Sequence, residues 1–296
     1  MNSKVWIEAM RLRTLPVSVA GVVAALGYVR LLDTPNATVF LLCLLFAVLA
    51  QIASNFANEY FDFKAGLDRP GREGPRRGVT EGDISPVAMK KAAVGTLMLA
   101  SLIGLLLIHW GGWIVLFVGI IIVLGALAYS AGPFPLSRHG LGEVAVILFF
   151  GVAPVSLTFY LMTGYIDMYV WAGSIAIGLM GANVLLVNNI RDINDDRNVG
   201  KRTFVVVFGR RAGSFFYLFN GWLAAWLMGS VWLWIGGVWL IVPSLYVIVH
   251  TIMWYRIDSL SRIAMKKPTE AGALNPFLGM TAVLMCLYAL LFTIAS

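Results

Sequence analysis

The chain is 296 residues long, 59% hydrophobic and only 12% charged, with a mean hydropathy of +0.83. Soluble domains carry about 25% charged residues and must clothe their surface in polar side chains, so a water-soluble enzyme is excluded and most of this surface must face lipid. The formal charge of +7 reads, in such a chain, as orientation signals and anionic ligands rather than nucleic acid.

A helical crossing needs about 20 mostly apolar residues. Runs 14–32, 38–61, 89–109, 112–130, 142–163, 168–190, 212–232, 235–255 and 275–295 meet that length. They are continuous rather than alternating, which predicts helices and not barrel strands. The expected fold is an all-α membrane protein with nine transmembrane helices in a pseudo-symmetric bundle around a central cavity. The opening MNSKVWIEAMRLRTLP has neither a cleavable signal nor a transit segment and is read as mature sequence. Every Lys and Arg except Arg30 falls at or near the loops of one side, so the positive-inside rule predicts a cytoplasmic N-terminus and a multi-pass protein of the cell membrane.

The loops of the other side are short and weakly charged, so chemistry is expected on the cytoplasmic side, at residues 62–88 and 191–211. Both loops are rich in Gly, Asp and Arg. The second run ends NEYFDFKAGLD and the sixth NNIRDINDDRN, so Asn58 precedes Asp62 by four as Asn188 precedes Asp192. The echo predicts a single domain, 1–296, made of two pseudo-repeats, about 1–135 and 136–296. Cys43 and Cys286 lie inside apolar runs and read as packing residues. Pro154 and Pro243 are expected to kink their spans, and the Trp, Tyr and Phe residues to form interfacial belts and bundle packing.

Residues four apart share a helix face, so Asn58 with Asp62, and Asn188 with Asp192 and Asp196, each form a strip of oxygen ligands. Asp195 lies near the second strip. Asp68 can join the first only if the helix breaks near Gly66. Carboxylate and amide oxygens without His or Cys suit a hard cation such as Mg²⁺, which takes one or two carboxylates with phosphate oxygens and water. Arg72, Arg76, Arg77, Arg191, Arg197, Lys201 and Arg202 surround the strips and can contact phosphate. The set describes a polyanion site at a membrane surface.

At these residues the sequence resembles the UbiA-type superfamily of intramembrane aromatic prenyltransferases. Asn188, Asp192 and Asp196 match its second Asp-rich motif in full; Asn58 and Asp62 match the first, which then departs, with Gly66 at the usual acidic position and the acid at Asp68. The form N-[DE]-Y-x-D-x-x-x-G-x-D, with RLRTLP, GPRRGVTEGDIS, HGLGE and NNIRD followed by GKRT, is similar to the branch that prenylates 1,4-dihydroxy-2-naphthoate. The resemblance implies Mg²⁺-dependent transfer of an isoprenoid from polyprenyl diphosphate to an aromatic acceptor, with Asn58, Asp62, Asp68, Asn188, Asp192 and Asp196 around the metal. Arg138 matches a position where relatives carry a basic residue near the diphosphate, although an orientation charge explains it equally; Lys201 is placed alike. Tyr129 is expected either to face a carbocation or to anchor the interface. Arg11 and Arg13 read as acceptor contacts or juxtamembrane charge, and Glu143 as a helix N-terminal acid or an acceptor ligand; His139 reads as an idle loop residue or one acting on a phenolic proton, and His109 and His250 as interfacial or packing residues. Prenylation of another aromatic acceptor, or transport of an organic anion, are the competing readings; no protein partner is predicted.

Overall fold

The computed structural model describes residues 3–68 and 76–296, and within them every regular element is helical. In chain order the helices are α1 (Ser3–Met10), α2 (Leu15–Leu32), α3 (Ala37–Lys64), α4 (Pro86–Ser130), α5 (Gly142–Val146), α6 (Ala153–Thr163), α7 (Met168–Asn198), α8 (Phe204–Leu227), α9 (Gly229–Ile235), α10 (Ile241–Lys266) and α11 (Asn275–Ala295). Local chemistry sets several starts. Asn36, Ser85, Asp167 and Thr203 precede α3, α4, α7 and α8, and each side chain accepts a backbone N–H from the first turn, from Val39, Ala88, Tyr169 and Val206.

Seven helical segments are long and apolar enough to cross a membrane, eight if α8 and α9, bent by 42°, act as one. The 45-residue α4 is interrupted at Gly112, whose φ of 60° and ψ of −156° lie outside helical space. Unbroken it would be roughly 67 Å long, more than twice a hydrocarbon core. The kink expected at Pro154 has a counterpart in a π-helical turn, Ile147–Val152, between α5 and α6. The kink expected at Pro243 is absent: α10 starts at Ile241, so this proline sits in the first turn, where its missing N–H costs no helical hydrogen bond.

The helices are unequally buried: α7 is mostly enclosed by its neighbours, whereas α3 and α4 are mostly exposed on the outside of the bundle. The central helix can be approached closely because of glycine: Gly151 packs against Gly178 with no room for a Cβ between them. Around α7 a core of Tyr28, Phe159, Trp232, Tyr288 and Phe292 joins α2, α6, α9 and α11, with Trp232 Nε1 donating to Tyr288 Oη at 2.6 Å. Cys43 is buried in a smaller cluster with Val22, Leu107, Val115 and Leu161. α3 and α4 form a lipid-exposed flank that closes off space beside the core.

Candidate active site

The two Asn-x-x-x-Asp strips end their helices by the same device. At the end of α3, Gly66 has a φ of +68° and Leu67 N donates to Asp62 O at 2.9 Å. At the end of α7, Gly200 has a φ of +75° and Lys201 N donates to Asp196 O at 2.8 Å. Both are left-handed glycine closures that satisfy a terminal carbonyl. The difference is length. α7 runs one turn further past its Asn, so the third acid, Asp196, stays on the strip. In α3 the glycine arrives a turn earlier and Asp68 falls beyond the cap.

The strips face one cavity of about 210 Å³, whose walls include Asn58 and Asp62 from α3 and Asn188, Asp192 and Asp196 from α7. Arg77, Lys201 and Tyr129 also line it. Asp62 is 2% exposed and gathers cations from three loops: Arg138 Nη2 at 3.2 Å, Lys201 Nζ at 3.5 Å and Arg77 Nη2 at 3.9 Å. Lys201 Nζ also stands 3.8 Å from Asp196 Oδ1, so one ammonium links the two clusters. The 135–140 and 199–203 loops are joined through Arg202 N donating to Arg138 O at 2.9 Å, which brings Arg138 and Lys201 to the same carboxylate.

Asn58 is held from three sides. Its Oδ1 accepts from Arg11 Nη2 at 2.9 Å and Arg77 Nη1 at 3.2 Å, and its Nδ2 donates to Ser130 Oγ at 3.0 Å. Arg11 is the one non-glycine residue among those described with a positive φ, 51°. Left-handed backbone costs a side-chain-bearing residue on the order of 1 kcal/mol, and here it turns the chain between α1 and α2 over the cavity. The second strip is organised differently. Arg191 is 3% exposed and spends its guanidinium on Asp192 Oδ1 at 2.6 Å, Asp192 Oδ2 and Asn188 Oδ1 at 2.8 Å each, and Asn275 Oδ1 at 2.8 Å.

The structure thus separates the expected site residues. Asn58, Asp62, Arg77, Tyr129, Asn188, Asp192, Asp196 and Lys201 line the cavity, and Arg138 touches Asp62 from its edge. Arg191, expected to meet phosphate, instead orients Asp192 from behind. Asp68, expected near the metal, is buried off the lining, 3.4 Å from Arg77 Nε. Arg76 pairs with Asp83, half exposed, and neither it nor the exposed Arg202 and Arg13 lines the cavity. Asp195 is likewise off the lining. Arg72 lies outside the described residues.

Several cavity residues carry no expectation from the sequence: Thr14, Gln51, Ser54, Asn55 and Asn189. Gln51 Nε2 donates to Thr14 Oγ1 at 2.9 Å, and Asn55 Nδ2 to Met10 O at 2.9 Å. A readable signal existed. Gln51, Asn55, Asn58 and Asp62 are spaced 4, 3 and 4 apart, a single polar stripe inside an apolar helix. Opposite them Glu143 lines the cavity and accepts from Asn189 Nδ2 at 2.8 Å, so it serves the cavity as well as the start of α5.

A second, apolar cavity of about 360 Å³ adjoins the first. The two share Gln51, Ser54, Tyr129 and Phe150, and the second continues between α3, α4 and α6 past Phe46, Cys43 and Leu107. A charged pocket opening into an oily one is built for an amphiphile with an anionic head.

The donor chemistry fits Mg²⁺. No group of three or more His, Cys, Asp or Glu among the described residues forms a ready metal cage. Mg²⁺ does not require one, because it binds through one or two carboxylates plus substrate phosphates and water. Asp62, Asp192 and Asp196 provide such hard oxygens on facing walls.

A model of the UbiA prenyltransferase family matches residues 14–270. The chain belongs to that family. Among named relatives, the 1,4-dihydroxy-2-naphthoate octaprenyltransferase of Haemophilus influenzae is 37% identical over 222 residues, covering 72% of each chain. That of Escherichia coli is 35% identical over 216 residues, covering 70% of each. A UbiA homolog from Archaeoglobus fulgidus, bound to GPP and Mg²⁺, superimposes with a TM-score of 0.69 over 98% of this chain and 99% of its own, at 15% identity, which shows a shared fold. With its apolar helices, this family member is a multi-pass membrane protein and a prenyltransferase.

Proposed function

We propose that this protein transfers a polyprenyl group from an allylic polyprenyl diphosphate to 1,4-dihydroxy-2-naphthoate, releasing diphosphate and CO2, as a step of menaquinone synthesis. The observation that carries the reading is the adjoining pair of cavities with shared walls, one lined by both Asp strips and cations, the other apolar. The acceptor follows the activity of the relatives, together with the branch-like phrases of the sequence.

Mg²⁺, held through Asp62, Asp192 and Asp196 with Asn58 and Asn188 beside them, would neutralise charge on the diphosphate and so favour its departure. The chain's own residues do the rest. Arg77, Arg138 and Lys201 lie where they can meet phosphate oxygens as the C–O bond ionises. Asp62 holds those cations in place between turnovers. Arg191 keeps both oxygens of Asp192 in one orientation. Tyr129, common to both cavities, sits at the junction where an allylic C1 would lie and offers its ring to developing positive charge. Phe150 and the apolar wall exclude water while the cation exists. Arg11 and Glu143 stand on the walls of the polar cavity, the basic group suited to an acceptor carboxylate and the acidic one to a hydroxyl.

We further read the chain as nine crossings with a cytoplasmic N-terminus and cytoplasmic site. In support, Gly112 divides α4 near the boundary between the third and fourth apolar runs, α8 with α9 forms a bent pair, and the site loops alone hold half of the Lys and Arg residues. Purified protein with Mg²⁺, a polyprenyl diphosphate and dihydroxynaphthoate should yield a prenylated, decarboxylated naphthol and diphosphate. Turnover of 4-hydroxybenzoate with none of the naphthoate would move the assignment to another acceptor.

A further inference from the structure

Glu59 is a fully buried carboxylate, 0% exposed, beside Asn58 on α3, and it lines neither cavity. Its Oε1 accepts the backbone N–H of Val79 at 3.0 Å, across the gap from the helix to the loop that follows it. Residues 77–84 of that loop close tightly on themselves. Glu81 N donates to Arg77 O at 2.9 Å and Ile84 N to Gly78 O at 3.0 Å. Val79 and Ile84 are buried against Val5, Phe56 and Met89. The turn is packed closely enough that a Cβ on Gly78 would lie 2.9 Å from Val5 Cγ1. Its first residue is Arg77, 6% exposed, which reaches Asn58, Asp62 and Asp68.

We propose that Glu59 is a positioning residue: by gripping Val79 N it fixes the 77–84 turn and so holds Arg77 over the mouth of the polar cavity. The physical ground is that a loop with one strong, buried anchor loses the freedom that would otherwise swing a long cationic side chain into water. The catalytic consequence rests on the diphosphate role given to Arg77 above. What Glu59 contributes is reach rather than charge, because Val79 N needs only an acceptor at that distance.

The full-length protein in detergent or membranes tests this with four variants. E59A and E59D, which remove or retract the acceptor, should raise KM for the polyprenyl diphosphate about tenfold with kcat changed less than about threefold, the range expected for losing a charge-assisted contact. E59Q, which keeps the reach, should stay close to wild type. The double variant E59A/R77A should be no worse than R77A alone. Independently of activity, trypsin should cut the Arg77–Gly78 bond in E59A and E59D but not in the wild type or E59Q, as read by mass spectrometry. Penalties that add in the double variant, E59Q as impaired as E59D, or an uncut Arg77–Gly78 bond in E59D would each overturn the clamp. A wild-type KM in R77A would instead overturn the diphosphate role of Arg77, and the cleavage pattern would still decide whether Glu59 holds the turn.

Discussion

Asp62 and Asp192 hold matching places in a repeated pattern, yet their surroundings are opposite in kind. Asp62 is met by three cations from three separate loops, at 3.2 to 3.9 Å. Asp192 is met by its own neighbour, Arg191, in a two-bond contact at 2.6 and 2.8 Å, and that arginine is braced by Asn275 from α11. The first carboxylate is therefore a hub whose partners can rearrange when an anion arrives. The second is held in a preset orientation. Equivalent sequence motifs do not imply equivalent electrostatics, since each strip's partners come from elements the motif does not contain.

The sharpest way to probe that contrast is to remove each acid. D62A and D192A should each lower kcat by about a thousandfold, near 4 kcal/mol of barrier, comparable to losing a preorganised stabilising group. Mg²⁺ removal by EDTA should abolish turnover in the wild type. Equal, wild-type rates in both variants would defeat the shared metal site. Next in size is the effect on stability. R191A strips a buried carboxylate of its bidentate partner and should destabilise by about 3 kcal/mol. R138A leaves Lys201 and Arg77 beside Asp62 and should cost about 1 kcal/mol or less, measured by unfolding in mild detergent. Reversal of that order would erase the distinction between the hub and the preset carboxylate.

Between those two in stability, N275A should cost about 1.5 kcal/mol through the lost hydrogen bond to a charged group. Its signature is a rise in the Mg²⁺ concentration needed for half-maximal rate, since Asp192 would lose orientation. Y129F keeps the ring and should reduce kcat only a fewfold, whereas Y129L removes the π face and should cost about 1–2 kcal/mol of barrier. Equal rates for the two would assign Tyr129 to packing alone.

Much of the site was legible because helical spacing is a local rule. Asn58–Asp62 and Asn188–Asp192–Asp196 needed only a count of four to share faces, and all five line the cavity. The break at Gly66 was legible for the same reason, because a glycine that can take a positive φ ends a helix without help from other chains of contact. The polar stripe through Gln51 and Asn55 was equally present in the residues, masked by the stronger Asp pattern beside it. Arg191 and Arg76 show where local reading stops. Both are arginines next to the motifs, but one is turned inward to Asp192 and the other outward to Asp83. Spacing along a helix says which face a residue takes, not which distant partner claims its charge.

By itself, the sequence determined that this is a helical membrane protein with two oxygen-rich helix ends, because hydropathy, loop charge and capping glycines all act within a few residues of chain. The tertiary structure alone decided that those ends share a hollow, that Lys201 links them, that Asp68 drops behind Arg77, and that an apolar slot adjoins the hollow at Tyr129. Each of these depends on contacts between segments far apart in the chain, whose geometry is set by how glycine-lined helices pack and where loops fold back.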